Sequence, residues 1–370
     1  MHFQKRILVA PLNWGLGHAT RCIPIIDALL AVGHTPILAS DGYALELLRK
    51  EYPHLEYVAL PSYQITYAKK GRNFKLKMLW DSPKMLKAIS HEKKVTKGLV
   101  KELALDGIIS DNRLGVRNKN IPSVFITHQL NVLTGNTTWM SSKMHQKIIK
   151  KFDECWVPDV SGKTNLSGKL GHLKESSLTI RYLGPLSRFQ KEQVPLQFKL
   201  MVLLSGPEPQ RSLLEEKLLT ELQGFRGRIL FVAGKIEAVQ KSKTSLTRHD
   251  TLTYYNFMQT TELEKALNRS QLILSRSGYT TVMDLAKLGK KAFFIPTPGQ
   301  YEQKYLAKEL AKNGWVPYCK QGEFKLGQLK RASSFSGLPE FEAQTTFSEV
   351  FSVFSSVKEN SEPTSSTLST

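Results

Sequence analysis

The stretch LILSRSGYTTVMDLAKLG, residues 272–289, contains three successive patterns. Its first residues, Leu272-Ile-Leu274, are apolar and typical of a buried strand. Ser277 to Thr280 are small, aromatic or hydroxylated residues around a glycine, which favours a loop. Thr281 to Lys287 has apolar residues at helical spacing, and Gly289 is placed to end the helix. The stretch therefore predicts a strand, a loop and a helix that starts at Thr281.

The same alternation of short apolar runs and helical patterns continues along the whole chain. The predicted strands are Arg6–Ala10, Thr35–Ser40, Leu55–Leu60, Gly107–Ser110, Pro122–Thr127, Glu154–Pro158, Thr179–Gly184, Leu200–Ser205, Arg228–Ala233, Thr251–Asn256, Leu272–Ser275 and Ala292–Pro296. Such runs fit parallel strands that are buried on both faces. The predicted fold class is α/β, with two Rossmann-like, doubly wound parallel-sheet domains that face each other across a cleft.

The chain has 370 residues, enough for two domains of ordinary size. A polar stretch follows Gly184-Pro185, and we expect the boundary there. The predicted parts are a first domain over 1–185 with a basic excursion over 62–105, a linker over 186–199 and a second domain over 200–357. Residues 358–370 are rich in Ser and Thr, so we expect a disordered tail.

Composition narrows the class of protein. Hydrophobic residues make up 41% and charged residues 23% of the chain, which excludes a wholly disordered or fibrous protein. The formal net charge of +20 favours an anionic partner. Three scattered cysteines exclude a disulfide framework, and neither a signal peptide nor an apolar span of about 20 residues is evident. We therefore expect a cytoplasmic protein.

The first predicted strand leads into Asn13-Trp-Gly-Leu-Gly-His-Ala-Thr-Arg21, a loop that opens a helix. Gly15 and Gly17 permit close approaches of the backbone, and a helix N-terminus binds anions. One interpretation is the dinucleotide fingerprint G-x-G-x-x-G with Asp41 on the ribose, although Thr20 replaces the third glycine.

His18, beside the second glycine of this loop, is a candidate general base because a histidine titrates near neutral pH. Local capping or packing of its ring is the alternative. Asp111, after another predicted strand of the first domain, is the rival base, and its alternative is an ordinary loop aspartate that bonds its own backbone.

In the second domain, hydroxyl and glycine residues before a helix make a phosphate cradle. Asp284, one turn into that helix, can accept two hydrogen bonds from a ribose diol. Ordinary helix capping explains the same residues without a ligand. Two further loops add Glu302 and Gln303 for sugar hydroxyls, and Ser205, Gly206 and Arg211 for a diphosphate.

Two stretches also resemble the motifs of a known family. They are Gly15-Leu-Gly-His18, and Arg276-Ser-Gly-Tyr-Thr-Thr-Val-Met-Asp284 followed by Pro296 to Gln303. Up to about residue 355 the chain resembles a GT-B glycosyltransferase of family 28, which includes the peptidoglycan N-acetylglucosaminyltransferase and the plastid galactolipid synthases. The resemblance implies a UDP-sugar as co-substrate and a lipid or glycan acceptor.

The resemblance implies donor-side roles for particular residues. Those near the diphosphate would be Ser277, Gly278, Thr280 and Thr281. Arg276, Gly15 and Gly17 are also assigned to donor binding. Asp284 would hold the ribose where the best-known relatives use Glu, and Glu302 and Gln303 would meet the donor sugar. Phe257 and Met258 match the place where relatives hold the uracil. On the acceptor side the resemblance implies His18 as base, with His128, Gln129 and Asn131 in an acceptor loop.

The implied reaction is a single displacement at the anomeric carbon, with inversion. A helix N-terminus and fixed hydroxyls stabilise the charge that grows on the departing phosphate. The sequence contains no Asp-x-Asp, whose carboxylates would hold a metal ion that binds the diphosphate. We therefore predict no cofactor and no required metal.

The segment 69–101 carries eleven Lys and Arg residues against Asp81 and Glu92, with interspersed apolar residues that include Trp80. Basic and apolar residues together suit the interface of an anionic membrane, and a solvated basic helix is the alternative. Nucleic-acid binding is not expected, since no recognition module accompanies the charge.

Three rival functions are a UDP-sugar 2-epimerase of the same architecture, a nicotinamide-dependent oxidoreductase and a non-catalytic basic binding protein. Neither an oxidoreductase nor a non-catalytic binding protein explains the polar residues that precede and begin the helix at Thr281. The Gly-Leu-Gly-His loop disfavours the epimerase.

Overall fold

The computed structural model describes residues 4–63, 74–133, 138–235, 237–341 and 345–355, with the backbone alone over 74–85. The first half folds as seven strands and four helices: β1 (Arg6–Pro11), α1 (Gly17–Ala31), β2 (Thr35–Ser40), α2 (Gly42–Glu51), β3 (Tyr57–Ala59), α3 (Phe74–Glu102), β4 (Gly107–Asp111), β5 (Ser123–Ile126), α4 (Thr138–Ile149), β6 (Glu154–Val157) and β7 (Ile180–Tyr182). The strand order is β3-β2-β1-β4-β5-β6-β7, and every pairing is parallel.

The second half adds a six-stranded sheet. Its elements are β8 (Phe198–Leu203), α5 (Gln210–Glu221), β9 (Ile229–Val232), β10 (Ser242–Leu246), β11 (Thr251–Tyr255), α6 (Thr260–Asn268), β12 (Ser270–Ser275), α7 (Tyr279–Lys287), β13 (Lys291–Phe294), α8 (Tyr301–Lys312) and α9 (Phe347–Phe351). The strand order is β10-β11-β9-β8-β12-β13, with only β10 antiparallel to its neighbour.

All twelve predicted strands are present, and most of them are buried, whereas the edge strands β3 and β7 are exposed or half-buried. Strand β4, for instance, is buried along its whole length. Strand β10 was not predicted. Its five residues are all exposed and mostly polar, so it lacks the apolar pattern of a buried strand.

The two parallel sheets confirm the predicted fold class. Helix α7 begins at Tyr279, two residues before the predicted start at Thr281, because Gly278 is extended at φ −72° and ψ 140° and serves as the N-cap. Thr280 and Thr281 therefore lie in the first turn of the helix.

The end of the described chain returns to the first sheet. Phe351 and Phe354 pack on Trp156, with ring centroids 6.2 Å away in each case. A Cβ on Gly107 would overlap the Phe354 ring, so that glycine makes room for it. Residues 347–355 thus pack with the first domain, although the sequence analysis placed them in the second. The predicted disordered tail, 358–370, lies outside the described residues.

The basic segment is largely the helix α3. Glu92 on this helix is buried and pairs with the buried Arg113 at 2.7 Å, which ties the helix to the sheet. The lysines of its second half, Lys87, Lys93, Lys94, Lys97 and Lys101, are exposed. Residues 69–73 lie outside the described part of the chain. Within that described part, no helix is both long enough and apolar enough to span a bilayer.

Candidate active site

The two domains meet where α1 and α7 begin. Each helix follows a strand of its sheet, so both N-termini lie at the carboxyl ends of the strands. The Thr280 hydroxyl donates to the Gly17 carbonyl, 3.2 Å away. A Cβ on residue 17 would come within 2.7 Å of the Thr280 hydroxyl oxygen, so glycine permits this approach. Gly15, with φ of +74°, lets the loop turn before the helix.

His18 and Asp111 are in direct contact at this junction. His18 lies in the first turn of α1 and Asp111 ends β4. His18 Nδ1 is 2.9 Å from Asp111 Oδ1. The buried Arg21 binds both oxygens of the same carboxylate through Nε and Nη2, and its Nη2 is also 2.8 Å from His18 Nδ1. His18 and Asp111, the two alternative bases of the sequence analysis, therefore contact each other and share Arg21 as a partner.

Burial and charge set the ionisation of this pair. Burial alone would raise the pKa of Asp111, but the charge and hydrogen bonds of Arg21 and His18 hold that pKa well below its usual range. Burial and the charge of Arg21 lower the pKa of His18, and together they outweigh Asp111. At neutral pH Asp111 is ionised and His18 is neutral, the form in which an imidazole accepts a proton.

Arg21 was missed by the sequence analysis. It lies three residues after His18 on α1, so the two side chains share one face of the helix. That three-residue spacing could have indicated that Arg21 lies beside His18. It could not have indicated that the Arg21 side chain is buried.

His128 and Gln129 reach across the junction to Glu302. His128 Nε2 is 2.9 Å from Glu302 Oε1, and the Gln129 amide nitrogen donates to the other carboxylate oxygen. The His128 ring stacks on Tyr279 with 4.1 Å between centroids. Burial would raise the pKa of Glu302, but the charge and hydrogen bond of His128 bring it below its usual value. Glu302 thus joins the predicted acceptor loop to the predicted donor side.

The N-terminus of α7 has the features of an anion site. Gly278, its N-cap, has no side chain with which to cap the first amides. Those amides have no acceptor within the helix and carry partial positive charge. Thr280 and Thr281 are half-buried in the first turn. Ser277 is buried, and its hydroxyl donates to the Gln303 carbonyl at 2.8 Å, which ties two donor-side loops together.

Asp284 lies in the second turn of α7. Its Oδ1 accepts a hydrogen bond from the Ser187 hydroxyl at 2.6 Å. Burial raises the pKa of Asp284 to about 7, against the opposing effects of Ser187 and the Arg188 charge. The carboxylate predicted to hold the ribose is therefore only partly ionised at neutral pH.

Two arginines assigned to the donor have other partners. Arg276 is buried and donates to the carbonyls of Ile295, Pro296 and Gln210 and to the Gln321 side chain. Arg211 pairs with Glu208 and Glu215. Both guanidinium groups have acceptors inside the second domain, as a buried cation requires, although Arg276 Nε is buried without a hydrogen-bond partner among the described residues. Both arginines brace the loops of the second domain through these partners.

The loop that holds Ser205 and Gly206 lies against the loop after β13. Gly206 has φ of +108°, and a Cβ there would lie 3.7 Å from the Thr297 hydroxyl oxygen. The Thr297 amide donates to Gln303 Oε1 at 2.8 Å. The Thr297 hydroxyl is buried and has no hydrogen-bond partner among the described residues. The sequence analysis did not single out Thr297, although its place between two prolines signalled a rigid loop.

The remaining candidates have mainly structural partners. Phe257 and Met258 follow β11 and are half-buried, and the Phe257 amide donates to the Asn256 side chain. The Asn131 amide nitrogen donates to two carbonyls of the 169–172 loop. Asp41, the ribose ligand of the oxidoreductase interpretation, pairs with Arg113 at 2.7 Å.

Part of the chain matches a known protein family, and most of the chain is similar in sequence to known proteins. Residues 210–336 match the model of the glycosyltransferase family 28 C-terminal domain. A UDP-N-acetylglucosamine–N-acetylmuramyl-(pentapeptide) pyrophosphoryl-undecaprenol N-acetylglucosamine transferase of Buchnera aphidicola is 26% identical over 260 residues, 68% of this chain and 69% of that protein. Residues 210–336 therefore form a family 28 C-terminal domain, and the chain is a glycosyltransferase.

This glycosyltransferase has further relatives along most of its length. An uncharacterised glycosyltransferase of Methanosarcina mazei is 24% identical over 342 residues, 84% of each chain. The crystal structure of Acinetobacter baumannii MurG has a TM-score of 0.59 at 16% identity, over 95% of this chain and 99% of that one. The GT-B fold is therefore confirmed, and the enzyme is a glycosyltransferase instead of an epimerase or an oxidoreductase.

Proposed function

We propose that this glycosyltransferase moves a hexose or N-acetylhexosamine from a UDP-sugar to a lipid-linked or cell-envelope glycan acceptor, with inversion. The observation that carries the proposal is the junction itself. The uncapped N-terminus of α7 lies at the same interface as the His18–Asp111 pair, so a phosphate leaving group and a base would flank one reacting carbon.

The donor is proposed to lie along α7. Its phosphates meet the first amides of the helix and the hydroxyls of Thr280 and Thr281, where the helix dipole favours negative charge. Asp284 accepts hydrogen bonds from the ribose diol, and the backbone of Phe257 and Met258 holds the uracil. Glu302 and Gln303 contact the sugar.

The reaction is proposed to be one displacement. The acceptor hydroxyl oxygen forms a bond to the anomeric carbon while the bond from that carbon to the UDP oxygen breaks, and its electron pair leaves with UDP. The acceptor proton passes to His18 Nε2, and Asp111 accepts a hydrogen bond from Nδ1–H. Asp111 is the alternative base, but its carboxylate already binds Arg21, which favours His18. Charge stabilisation by the α7 amides needs no metal, and we propose that none is required.

The relatives support the choice of donor and acceptor. The printed name of the Buchnera enzyme includes UDP-N-acetylglucosamine and a pyrophosphoryl-undecaprenol acceptor. We extend only the classes to this chain: a UDP-sugar and a lipid-linked or glycan acceptor, at the inner face of the cytoplasmic membrane. Nucleic acid has no place in the proposal.

The exposed side chains of helix α4 support binding of the enzyme to a lipid surface. Trp139, Met140 and Met144 are 75%, 50% and 59% exposed, and Lys143 and Lys147 on the same helix are exposed as well. The helix follows the loop that holds His128 and Gln129. Exposed aromatic and thioether side chains beside lysines suit the boundary between lipid headgroups and acyl chains.

We predict that a Trp139→Ser, Met144→Ser variant loses most of its binding to anionic vesicles. Each large apolar side chain is worth about 1.5–3 kcal/mol when fully buried, so partitioning should fall by about tenfold or more. Co-flotation with phosphatidylglycerol vesicles at low salt measures it. Leu246→Ser is the matched control, because Leu246 is 82% exposed on the edge strand β10 of the other domain. Equal flotation of all variants would remove α4 from the membrane contact.

A thermal-shift screen tests the proposed donor. A ligand that binds only the folded protein raises Tm in proportion to the logarithm of its concentration over Kd. We expect UDP and at least one UDP-sugar to raise Tm, and NAD to leave it unchanged. A shift with NAD and none with UDP would overturn the proposed donor class.

A further inference from the structure

Arg21 is the side chain around which the junction is organised. It is 2% exposed, and its guanidinium contacts three titratable groups. Two of its nitrogens hold the Asp111 carboxylate. Nη2 is 2.8 Å from His18 Nδ1, and Nη1 is 3.2 Å from His128 Nδ1.

A guanidinium has five N–H donors and no acceptor. Any ring nitrogen that it hydrogen-bonds must therefore present a lone pair. For His128 this puts the proton on Nε2, and that nitrogen is 2.9 Å from Glu302 Oε1, a carboxylate that can only accept. Both contacts of His128 thus agree on one tautomer.

His18 Nδ1 has two competing partners. If Nδ1 carried the proton, it would donate to Asp111 Oδ1 at 2.9 Å, but the same proton would face the hydrogens of Arg21 at 2.8 Å. Asp111 already receives two hydrogen bonds from Arg21, so it has less need of a third donor. With Nδ1 as acceptor, the Arg21 N–H is satisfied and the unfavourable contact is instead the 2.9 Å approach of Nδ1 to Asp111 Oδ1. That oxygen already accepts from Arg21 Nη2, so this is the smaller conflict and it favours the proton on Nε2.

We propose that Arg21 is a positioning residue that places the proton of both His18 and His128 on Nε2 in the resting enzyme. For His128 the result is a donor aimed at Glu302, which fixes the sugar-side carboxylate. For His18 the result is a restrained base. Nε2 accepts the acceptor proton only after it has released its own proton to water, and Nδ1 has taken up a proton from water and donates it to Asp111 instead of accepting from Arg21. This catalytic consequence rests on the proposed function, whereas the tautomers do not.

Charged groups reach His18 from four elements. Arg21 comes from its own helix, Asp111 from β4, His128 from the loop after β5 and Glu302 from α8. Arg21 supplies the one permanent positive charge among them. Without it two carboxylates remain, and they favour the imidazolium form of His18.

Nitrogen-15 NMR of the histidine side chains in the full chain tests the proposal, since the two ring nitrogens of each tautomer have distinct shifts. His18→Gln and His128→Gln assign the signals. We expect Nε2–H for both histidines in the unsubstituted protein. In Arg21→Met we expect His18 to change to Nδ1–H and its pKa to rise, because the positive charge of Arg21 is one of the causes that lower it. His172 bonds backbone carbonyls through both ring nitrogens, so its unchanged signal reports an intact fold.

Nδ1–H on His18 in the unsubstituted protein, or an unchanged tautomer in Arg21→Met, overturns the proposal. If Arg21→Met does not fold, Arg21→Lys takes its place. Lysine keeps the charge but not the planar fork, so the His18 tautomer should still change. The pH profile of kcat/KM separates the two claims. If His18 is the base, the pH at which kcat/KM falls on the acidic side rises in Arg21→Met together with the pKa of His18 measured by NMR. If that pH stays in place while the NMR signals move, His18 is removed as the base and Arg21 is left as the residue that sets the tautomers.

Discussion

Replacing His18 with alanine lowers turnover by about 10²–10⁴-fold, the usual contribution of a general base, while the affinity for UDP stays nearly the same. The reason is the division of the site between the domains. His18 and its partner Asp111 belong to the first domain, whereas the proposed UDP contacts belong to α7 and its neighbours. Steady-state kinetics give the change in kcat, and calorimetric titration gives the Kd of UDP.

His249→Ala is the matched control for this variant. His249 is exposed on the second domain, next to the edge strand β10, and it should retain full activity and UDP affinity. Normal turnover in His18→Ala would remove His18 from the mechanism and leave Asp111 as the base. A large loss of UDP affinity would place His18 on the donor instead.

Replacing Asp284 with alanine weakens UDP binding by about tenfold or more, because hydrogen bonds to a charged acceptor are worth about 1.5–3 kcal/mol each. The pKa of about 7 adds a pH dependence. Below pH 7 the carboxyl group is protonated and accepts fewer hydrogen bonds from the ribose diol. UDP affinity should therefore rise between pH 6 and pH 8.

Asp284→Asn isolates this effect, because it keeps the shape of the side chain and removes the titration. Any pH trend that remains in Asp284→Asn belongs to UDP or to other groups of the protein, and the difference from the unsubstituted protein belongs to Asp284. Glu216→Ala, an exposed carboxylate of α5, is the control for a general change of charge and should bind UDP normally. Unchanged affinity in Asp284→Ala would refute the ribose assignment.

The parallel sheets were predictable from the sequence because a strand buried on both faces must be apolar along its length. Strand β1 shows this, with five of its six residues buried. The edge strand β10 was not predictable, since its exposed polar residues carry no such constraint. The return of Phe351 and Phe354 to the first sheet was also hidden, because it depends on space left by Gly107, some 250 residues earlier in the chain.

The loops of the candidate site were predictable, but their pairings were not. Glycine, hydroxyl and histidine residues after strands marked the regions around His18 and Thr280. The contact of Glu302 with His128 joins residues 174 positions apart, and a sequence pattern does not encode which loops of two domains will meet. The ion pairs of Arg211 with Glu208 and Glu215 were also not predicted, because the sequence analysis considered this loop cation only as a ligand for phosphate.

The proposed reaction requires that the first turn of α7 hold a uridine diphosphate at the junction between the domains. Diffraction from crystals grown with UDP locates the diphosphate. We predict a phosphate oxygen within about 3 Å of the backbone amides of Thr280 or Thr281, a normal hydrogen-bond length, with the ribose oxygens at Asp284. UDP bound elsewhere, with those amides facing protein groups only, would contradict it.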